Sequence, residues 1–287
     1  MKETNASRRG TLLGLKVSIL KRVLAPVSLY SSSPQPYMAS ASHSCRLIIA
    51  DPKNPTLYTN RAFSRLKLQL YDSVIDDCQK CLELKPDNMK AFYYLSQAQL
   101  AIKDYDAALK NALRAHELCA KTLDKSLAAV TNLVLSCKKE RWEAMERRRI
   151  RQGAELENET LRLLEREKDE ALAEVSDELE RNDIVVEWDE KIAELKRIFE
   201  QARAADSKRR KVPDWAIDDI TFGIMVDPVV TKTGKSYERA SILEHLRLHQ
   251  TDPLTREPLY VSDLRPNLSL KQACEEFLDE NGWAVDW

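Results

Sequence analysis

Glycine and proline are scarce in this sequence. Only 6 glycines and 11 prolines occur among 287 residues, whereas charged side chains make up 32% of them. Glycine and proline interrupt helices and form turns, so their scarcity in a highly charged chain predicts a mainly α-helical, soluble protein. The length allows two or three domains.

An excess of charge of either sign is also missing. The 45 basic and 46 acidic residues give a net charge of -1, so no nucleic-acid partner is expected. The six cysteines show no secretory framework, which predicts reduced thiols in the cytoplasm, with the nucleus as a possible second location. Cys78 and Cys81 form a CxxC pair, but both fall on the apolar face of a predicted helix, which favours packing over redox or metal chemistry.

Acidic residues are absent from residues 4–50. The apolar stretch 12–29 contains Lys16, Lys21 and Arg22, so a membrane span is not expected, and the composition fits an organelle-targeting presequence. Two alternatives are that residues 11–30 form a substitute helix for the domain behind them, and that the segment reflects an alternative start or a fault in the gene model. Residues 1–44 are therefore assigned to an atypical N-terminal segment, either targeting-like or disordered.

An internal repeat follows, with a period of 34 residues. Pro52 and Pro86 are separated by this interval, as are Tyr71 and Tyr105. The period is typical of tetratricopeptide repeats, in which each unit contributes two antiparallel helices. The pattern predicts helices over 58–68, 71–84, 89–102 and 105–118, and an array over 45–122 with a partial first repeat and two complete ones.

The phrases LYTNRA and MKAFYYLSQAQL resemble the carboxylate-clamp class of these repeats. The resemblance assigns the clamp to Asn60 and Lys90 and the groove wall to Tyr93 and Tyr94, and it implies binding of the acidic C-terminal tails of seventy- and ninety-kilodalton heat-shock chaperones. An amide and a lysine on rigid helices suit a terminal carboxylate. The clamp's other two donors belong to the missing first repeat, so we expect weaker binding than with that repeat restored. Alternatively, Asn60 and Lys90 are ordinary solvated side chains.

The middle of the chain, over 123–211, is predicted to be helical. Gly153 is the only glycine, and proline is absent, between Pro86 and Pro213. Residues 127–135 are apolar enough to cap the last repeat, and two further apolar seams predict an antiparallel helical hairpin. So narrow a hairpin cannot bury these side chains alone, which favours a coiled-coil homodimer over a solvated spacer. The seams comprise Trp142, Met145, Ile150, Leu156, Leu161 and Leu164, then Ile184, Val185, Trp188, Ile192, Leu195, Ile198 and Phe199.

Residues 212–287 show a hairpin, a helix, a loop and a second helix. The turn is Thr233-Gly234-Lys235, and the last helix is expected from about Asn267. The phrases MVDPVV, SYER, DPLTREPL and RPNLSLK resemble the U-box, a RING-like fold that recruits ubiquitin-conjugating enzymes. Only Cys274 and two histidines could ligate a metal, so neither zinc nor another cofactor is expected. Polar side chains should hold the loops instead, and the candidates are Asp227, Asp252, Arg256 and Asn267.

The U-box resemblance also assigns a surface for the conjugating enzyme. It consists of Ile220, Phe222, His245, Pro253 and Arg256. In RING-like ligases the position of Arg256 bridges enzyme and ubiquitin, whereas Ile220 and Phe222 could instead be core residues.

The order of the three parts resembles chaperone-dependent ubiquitin ligases. That resemblance implies a scaffold-type ubiquitin transferase acting on misfolded client proteins. Cys274 is expected to be buried, so a covalent ubiquitin intermediate is not predicted. The alternative is a non-catalytic co-chaperone adaptor.

Overall fold

The computed structural model describes residues 36–206 and 211–287. These residues form a helical array, a long helical hairpin and a small α+β domain, so the predicted mainly α-helical fold is confirmed. The predictions of a targeting segment and of a substitute helix over residues 11–30 lie outside the described residues.

The array consists of helices that each pack on the next one in the chain. The side chains of Asn54, Asn88 and Asp104 accept backbone N–H hydrogen bonds at three of the helix starts, which fixes those starts. Fully buried alanines such as Ala62 and Ala98 let the helices approach closely. The four predicted repeat helices are therefore confirmed, with ends that shift by up to four residues. The bounds are α1 (Pro36–Ala50), α2 (Pro55–Lys67), α3 (Tyr71–Leu84), α4 (Met89–Ala101) and α5 (Tyr105–Thr122).

Helix α1 begins earlier than the sequence suggested. The predicted boundary between residues 44 and 45 falls inside this helix, which starts at Pro36. Ser44 is buried, and Ser64 Oγ of α2 donates a hydrogen bond to Ser40 Oγ over 2.9 Å. The sequence analysis placed the start of the array at residue 45, whereas α1 extends upstream of it. Tyr37, whose ring lies 6.2 Å from the Phe63 ring, and Ser40 pack on α2 there without a repeat period.

Two long helices follow the array, α6 (Leu127–Glu174) and α7 (Glu178–Asp206). The start of α6 caps the array, since Val134 and Cys137 are buried against α5. Helix α7 then packs back along the distal part of α6, which confirms the predicted hairpin. Lys168 Nζ lies 2.7 Å from Asp189 Oδ1 between the two helices. In the ranges that the structure describes, no helix combines the length and apolar character needed to cross a bilayer.

The C-terminal domain is built on a three-stranded antiparallel sheet of β1 (Pro228–Val230), β2 (Ser236–Glu238) and β3 (Arg265–Pro266), in the strand order β2-β1-β3. Val229 lies opposite Tyr237 on one side and Pro266 on the other. Gly234 makes the tight β1–β2 turn with a φ of 84°, a conformation that costs glycine little. As predicted, Asn267 begins the last helix, and its side chain accepts from the Leu270 N–H over 3.1 Å. The helices of this domain are α8 (Arg239–Leu248) and α9 (Leu268–Glu280).

Helix α6 also fastens the C-terminal domain to the array. The Trp142 indole donates to the Glu280 carbonyl over 3.0 Å, and Lys138, only 5% exposed, pairs with Asp279 at 2.7 Å. A Cβ on Gly282 would lie 2.3 Å from Trp142 Cβ, so only glycine allows this approach. The placement of Trp142 on the hairpin seam was therefore wrong, because its ring packs against the end of the chain instead.

Candidate functional site

The first loop of the C-terminal domain, residues 217–227 ahead of β1, is organised by the buried carboxylate of Asp218. Its Oδ2 accepts hydrogen bonds from the Thr221 N–H over 3.0 Å, the Thr221 hydroxyl over 2.7 Å and the Ser241 hydroxyl over 2.9 Å. Its Oδ1 accepts from the Glu238 N–H over 2.9 Å. One carboxylate thus joins the loop to β2 and α8. The sequence analysis missed Asp218, although an aspartate three residues ahead of a threonine is a common loop-capping pattern.

The second loop, residues 249–260 after α8, is organised in the same way by Asp252. Its Oδ1 accepts from the Leu254 N–H over 2.9 Å, the Thr255 N–H over 3.2 Å and the Tyr237 hydroxyl over 3.0 Å, while Oδ2 accepts from the Thr233 hydroxyl over 3.1 Å. Burial alone would raise the pKa of Asp252, but these donors stabilise the anion and lower the pKa below its ordinary value. The prediction that Asp252 holds a loop is confirmed.

The two loops repeat one backbone arrangement. The Phe222 N–H donates to the Asp218 carbonyl over 2.8 Å, and the Arg256 N–H donates to the Asp252 carbonyl over 2.9 Å. Phe222 and Arg256 have φ angles of 58° and 60°, in a region that few residues other than glycine adopt. Each buried aspartate is therefore followed, four residues later, by a left-handed residue with an exposed side chain.

The residues assigned to the conjugating enzyme have different environments. Phe222 is 70% exposed, Pro253 is half-buried and Arg256 is exposed. Ile220 is half-buried and packs against the core cluster that contains Val229 and Leu259. Phe222 is therefore not a core residue. Ile220 packs in the core, whether or not it also contacts the conjugating enzyme.

His245 connects α8 to the second loop. Its Nε2 lies 2.9 Å from the Thr251 carbonyl oxygen. A carbonyl can only accept, so Nε2 carries the proton and donates. The His249 ring lies 5.6 Å away, centroid to centroid. Of the assigned residues, His245 is thus the one that holds the second loop against the helix.

A second polar network lies beside β1. Arg239 Nε donates to Asp227 over 2.6 Å, and Lys271 Nζ lies 3.4 Å from the same carboxylate. Glu238 accepts from the Val226 and Asp227 N–H groups through one oxygen, and its other oxygen is buried without a hydrogen-bond partner among the residues described. Burial raises the pKa of Glu238 to about 7.

Two of the four residues predicted to hold the loops do so, Asp227 and Asp252, through the networks above. Asn267 instead caps α9 and donates from its side chain to Ser236 Oγ of β2 over 3.1 Å. The Arg256 side chain is exposed, and only its backbone takes part, so that prediction was wrong. Across 36–206 and 211–287, no group of three or more His, Cys, Asp and Glu side chains is arranged to hold a metal ion.

Cys274 lies in α9 and is 1% exposed. Burial raises the pKa of this thiol to about 12, so it remains protonated at neutral pH. A thiolate is needed for nucleophilic attack, so Cys274 is unsuited to carry ubiquitin. The prediction that it is buried is confirmed.

The predicted clamp residues lie on two neighbouring helices of the array. Asn60 is exposed on α2, and Lys90 is exposed in the first turn of α4. Tyr93 and Tyr94 are half-buried one turn after Lys90, and their ring centroids are 5.8 Å apart. The arrangement offers an amide and an ammonium group beside an aromatic wall.

That aromatic wall is longer than the sequence analysis suggested. The Phe63 ring lies 5.6 Å from the Tyr94 ring and 6.2 Å from the Tyr37 ring of α1, centroid to centroid. Lys67 Nζ lies 5.6 Å from the centroid of Phe63. Phe63 and Lys67 follow Asn60 by three and seven residues, a spacing that places all three on one helix face and could have identified them.

The sequence of this chain is similar to the sequences of known proteins. Residues 212–283 match the U-box domain family. The E3 ubiquitin-protein ligase CHIP of Arabidopsis thaliana is 31% identical over 240 residues, which cover 83% of this chain and 85% of that protein. The Hsp70/Hsp90 co-chaperone CNS1 of Saccharomyces cerevisiae is 30% identical over 38% of this chain and 28% of its own. A solved complex of the TPR2B domain of yeast Sti1 with pHsp70 gives 25% identity and a TM-score of 0.34, over 35% of this chain and 82% of that one.

The U-box match decides between the two activities considered from the sequence. It lies over the domain whose two loops are held by Asp218 and Asp252, and the similarity to a ubiquitin ligase extends through the helical array as well. A ligase is therefore favoured over a non-catalytic adaptor. This chain belongs to the CHIP family of U-box E3 ubiquitin-protein ligases.

Proposed function

We propose that this ubiquitin ligase holds the acidic C-terminal tail of a heat-shock chaperone in its array while its U-box recruits a charged ubiquitin-conjugating enzyme. The observation that carries the proposal is that one chain combines Asn60 and Lys90 on adjacent array helices with a U-box whose two loops are ordered by buried carboxylates. The relatives named for CHIP and for an Hsp70/Hsp90 co-chaperone support it. Misfolded clients carried by the chaperone are the substrates.

The tail-binding step depends on Lys90. A charge-assisted contact between its ammonium and a terminal carboxylate contributes about 1.5–3 kcal/mol, so Lys90→Ala should weaken binding of a synthetic acidic tail peptide about tenfold to a hundredfold. Lys110→Ala is the matched control, since Lys110 is an exposed lysine on α5. Calorimetric titration measures both, and equal affinities for the two variants would contradict the assignment.

The conjugating-enzyme step depends on the two U-box loops. A phenylalanine that is 70% exposed at a loop tip has apolar surface to bury against a partner. Phe222→Ala and Pro253→Ala should therefore reduce ubiquitin-chain formation in a reconstituted assay while tail binding is unchanged. Leu268→Ala is the control, because Leu268 is 73% exposed but lies outside both loops. Undiminished chain formation by folded Phe222 and Pro253 variants would remove this surface from the proposal.

Transfer itself proceeds by proximity. The enzyme-bound ubiquitin thioester and the client lysine are held on one scaffold, which raises their effective concentration without a covalent ligase intermediate. Arg256 is the residue we assign to contact both conjugating enzyme and ubiquitin. Its replacement by alanine should slow transfer more than it weakens binding of the enzyme.

The active form we propose is a cytoplasmic homodimer. Met145, Ile150 and Leu156 on α6 are 60%, 60% and 58% exposed, an apolar series that a second copy would cover. The free state of all six cysteines supports a reducing compartment. Sedimentation should detect a dimer at micromolar concentration, and Ile150→Glu with Leu156→Glu should convert it to a monomer. A monomeric unmodified chain would exclude the dimer.

A further inference from the structure

The second half of α8 contacts a U-box loop on one side and the array on the other. His245 donates to the Thr251 carbonyl over 2.9 Å and so faces the second loop. Leu243 packs into an apolar cluster that contains residues of α5 and α6. Residues two apart lie on nearly opposite sides of an α-helix. This part of α8 therefore connects the surface proposed for the conjugating enzyme to the array.

The loop between α5 and α6 lies beside the end of α8. Cys119 of α5 and Leu127 of α6 flank this loop, and both belong to the apolar cluster of Leu243. Arg247 follows Leu243 by four residues, on the same helix face, and its Nη2 donates to the Leu123 carbonyl in the loop over 3.4 Å. Packing and a hydrogen bond thus hold this loop of the array against the U-box.

Exposed leucines occur on both sides of this contact. Leu248, the last residue of α8, is 77% exposed, and Leu123 of the array loop is 47% exposed. Leu248 follows His245 by three residues, so these two side chains share the helix face next to the second loop. In that loop Leu254 is 61% exposed and directly follows Pro253. Exposed apolar side chains in three neighbouring segments indicate a surface that a partner covers.

We infer that the surface for the conjugating enzyme extends beyond the U-box onto the array, through Leu248 and Leu123. The inference rests on the proposed function and adds contacts that the family resemblance did not assign. The array then helps to recruit the conjugating enzyme in addition to binding the chaperone tail.

The occupant is the conjugating enzyme because this patch is continuous with the residues already proposed to contact that enzyme. His245 shares a helix face with Leu248, and Pro253 precedes Leu254. The apolar series proposed for a second copy lies elsewhere, since Ile150 is about 35 Å along the axis of α6 from Leu127.

The test measures initial rates of ubiquitin-chain formation by the full chain. The varied component is a ubiquitin-charged conjugating enzyme that is active with the unmodified chain. Leu248→Ala should raise the KM for this enzyme about threefold to tenfold, and Leu123→Ala about twofold to fivefold, because each removes apolar surface that only the bound enzyme covers. The kcat should not change, since saturating enzyme restores the complex. Tail binding should be unchanged in both variants.

Two exposed leucines serve as matched controls. Leu268→Ala, at the start of α9, matches Leu248→Ala, and Leu70→Ala matches Leu123→Ala because Leu70 is 42% exposed in another loop of the array, between α2 and α3. Neither control should change the KM. Effects of Leu248→Ala or Leu123→Ala no larger than those of the controls would overturn the inference.

Three outcomes separate this inference from the proposed function. An unchanged KM for Leu123→Ala overturns the extension onto the array, even where Leu248→Ala raises the KM. An unchanged KM for Phe222→Ala, Pro253→Ala and both leucine variants overturns the proposed surface as well. Loss of a dimer in sedimentation of Leu248→Ala, with an unchanged KM, assigns the patch to a second copy and overturns the inference.

Discussion

The Asp252 carboxylate provides a direct test of how the U-box loops are held. Its side chain is 1% exposed and accepts from Leu254, Thr255 and Tyr237. Alanine would leave the buried Tyr237 hydroxyl without this acceptor, at a cost of about 1–3 kcal/mol. Water would replace Asp252 as the acceptor of the Leu254 and Thr255 N–H groups, and these weaker bonds add about 1–2 kcal/mol to the loss. We therefore expect the free energy of unfolding of the U-box to fall by about 2–5 kcal/mol.

Two further variants separate the effect of the Asp252 charge from the effect of its hydrogen bonds. Asp252→Asn keeps one oxygen acceptor and the volume of the side chain, so we expect a loss of only about 1–2 kcal/mol. Asp219→Ala removes a neighbouring aspartate whose carboxylate is 49% exposed and pairs with Lys235 at 2.7 Å. An exposed pair contributes about 0–1 kcal/mol, so this control should change stability little.

The measurement is urea unfolding of the full chain, followed by pulsed hydrogen exchange. Peptides from 212–287 report the U-box, and peptides from the array serve as an internal reference. Asp252→Ala should lower the urea midpoint of the U-box peptides only, and should reduce ubiquitin-chain formation without changing tail binding. Equal midpoints for Asp252→Ala and Asp219→Ala would refute the argument that a buried carboxylate holds this loop.

Three other outcomes follow from single contacts. Burial raises the pKa of Glu238 from 4.5 to about 7, so between these pH values the folded U-box binds a proton that the unfolded chain releases. The free energy of unfolding of the U-box should therefore fall as pH rises from 4.5 to about 7. Glu238→Gln should reduce this pH dependence when the free energy is measured by urea titration. Gly282→Ala should destabilise the attachment of the U-box to α6, because the new Cβ would lie 2.3 Å from Trp142 Cβ, and adding Trp142→Ala should not restore the loss in thermal unfolding, since alanine keeps that Cβ. Cys274→Ala should retain ubiquitylation in the reconstituted assay, since a buried, protonated thiol is unsuited to carry ubiquitin.

The helical array could be predicted from the sequence because its contacts are local and repeated. A period of 34 residues places Tyr71 and Tyr105 at the starts of equivalent helices, and both helices begin at those residues. The starts at Met89 and after Asn267 were also predictable, since an asparagine side chain caps each one. Local propensity and repeat period agree in these segments, so little depends on the rest of the molecule.

Contacts between distant parts of the chain could not be predicted in this way. Trp142 fits the period of the hairpin seam, yet its indole binds the Glu280 carbonyl 138 residues later. Nothing in the spacing of α6 distinguishes a tryptophan that packs on a partner helix from one that packs on the U-box. The first half of α1 was missed because its contacts with α2, through Tyr37 and Ser40, do not recur at the repeat period.

One of the two U-box loops could be recognised from the sequence and the other could not, although the two are held in the same way. The phrase DPLTREPL made Asp252 recognisable, whereas Asp218 stands in a segment without such a phrase, yet the two carboxylates make equivalent bonds. Each fixes a left-handed residue four positions later, Phe222 or Arg256, with its side chain exposed. Holding a non-glycine residue in that conformation costs about 1–3 kcal/mol, so the surrounding bonds must outweigh it at two places. Equivalent presentation of one apolar and one cationic side chain is thus a reason, independent of any resemblance, to expect Phe222 and Arg256 to contact the same partner.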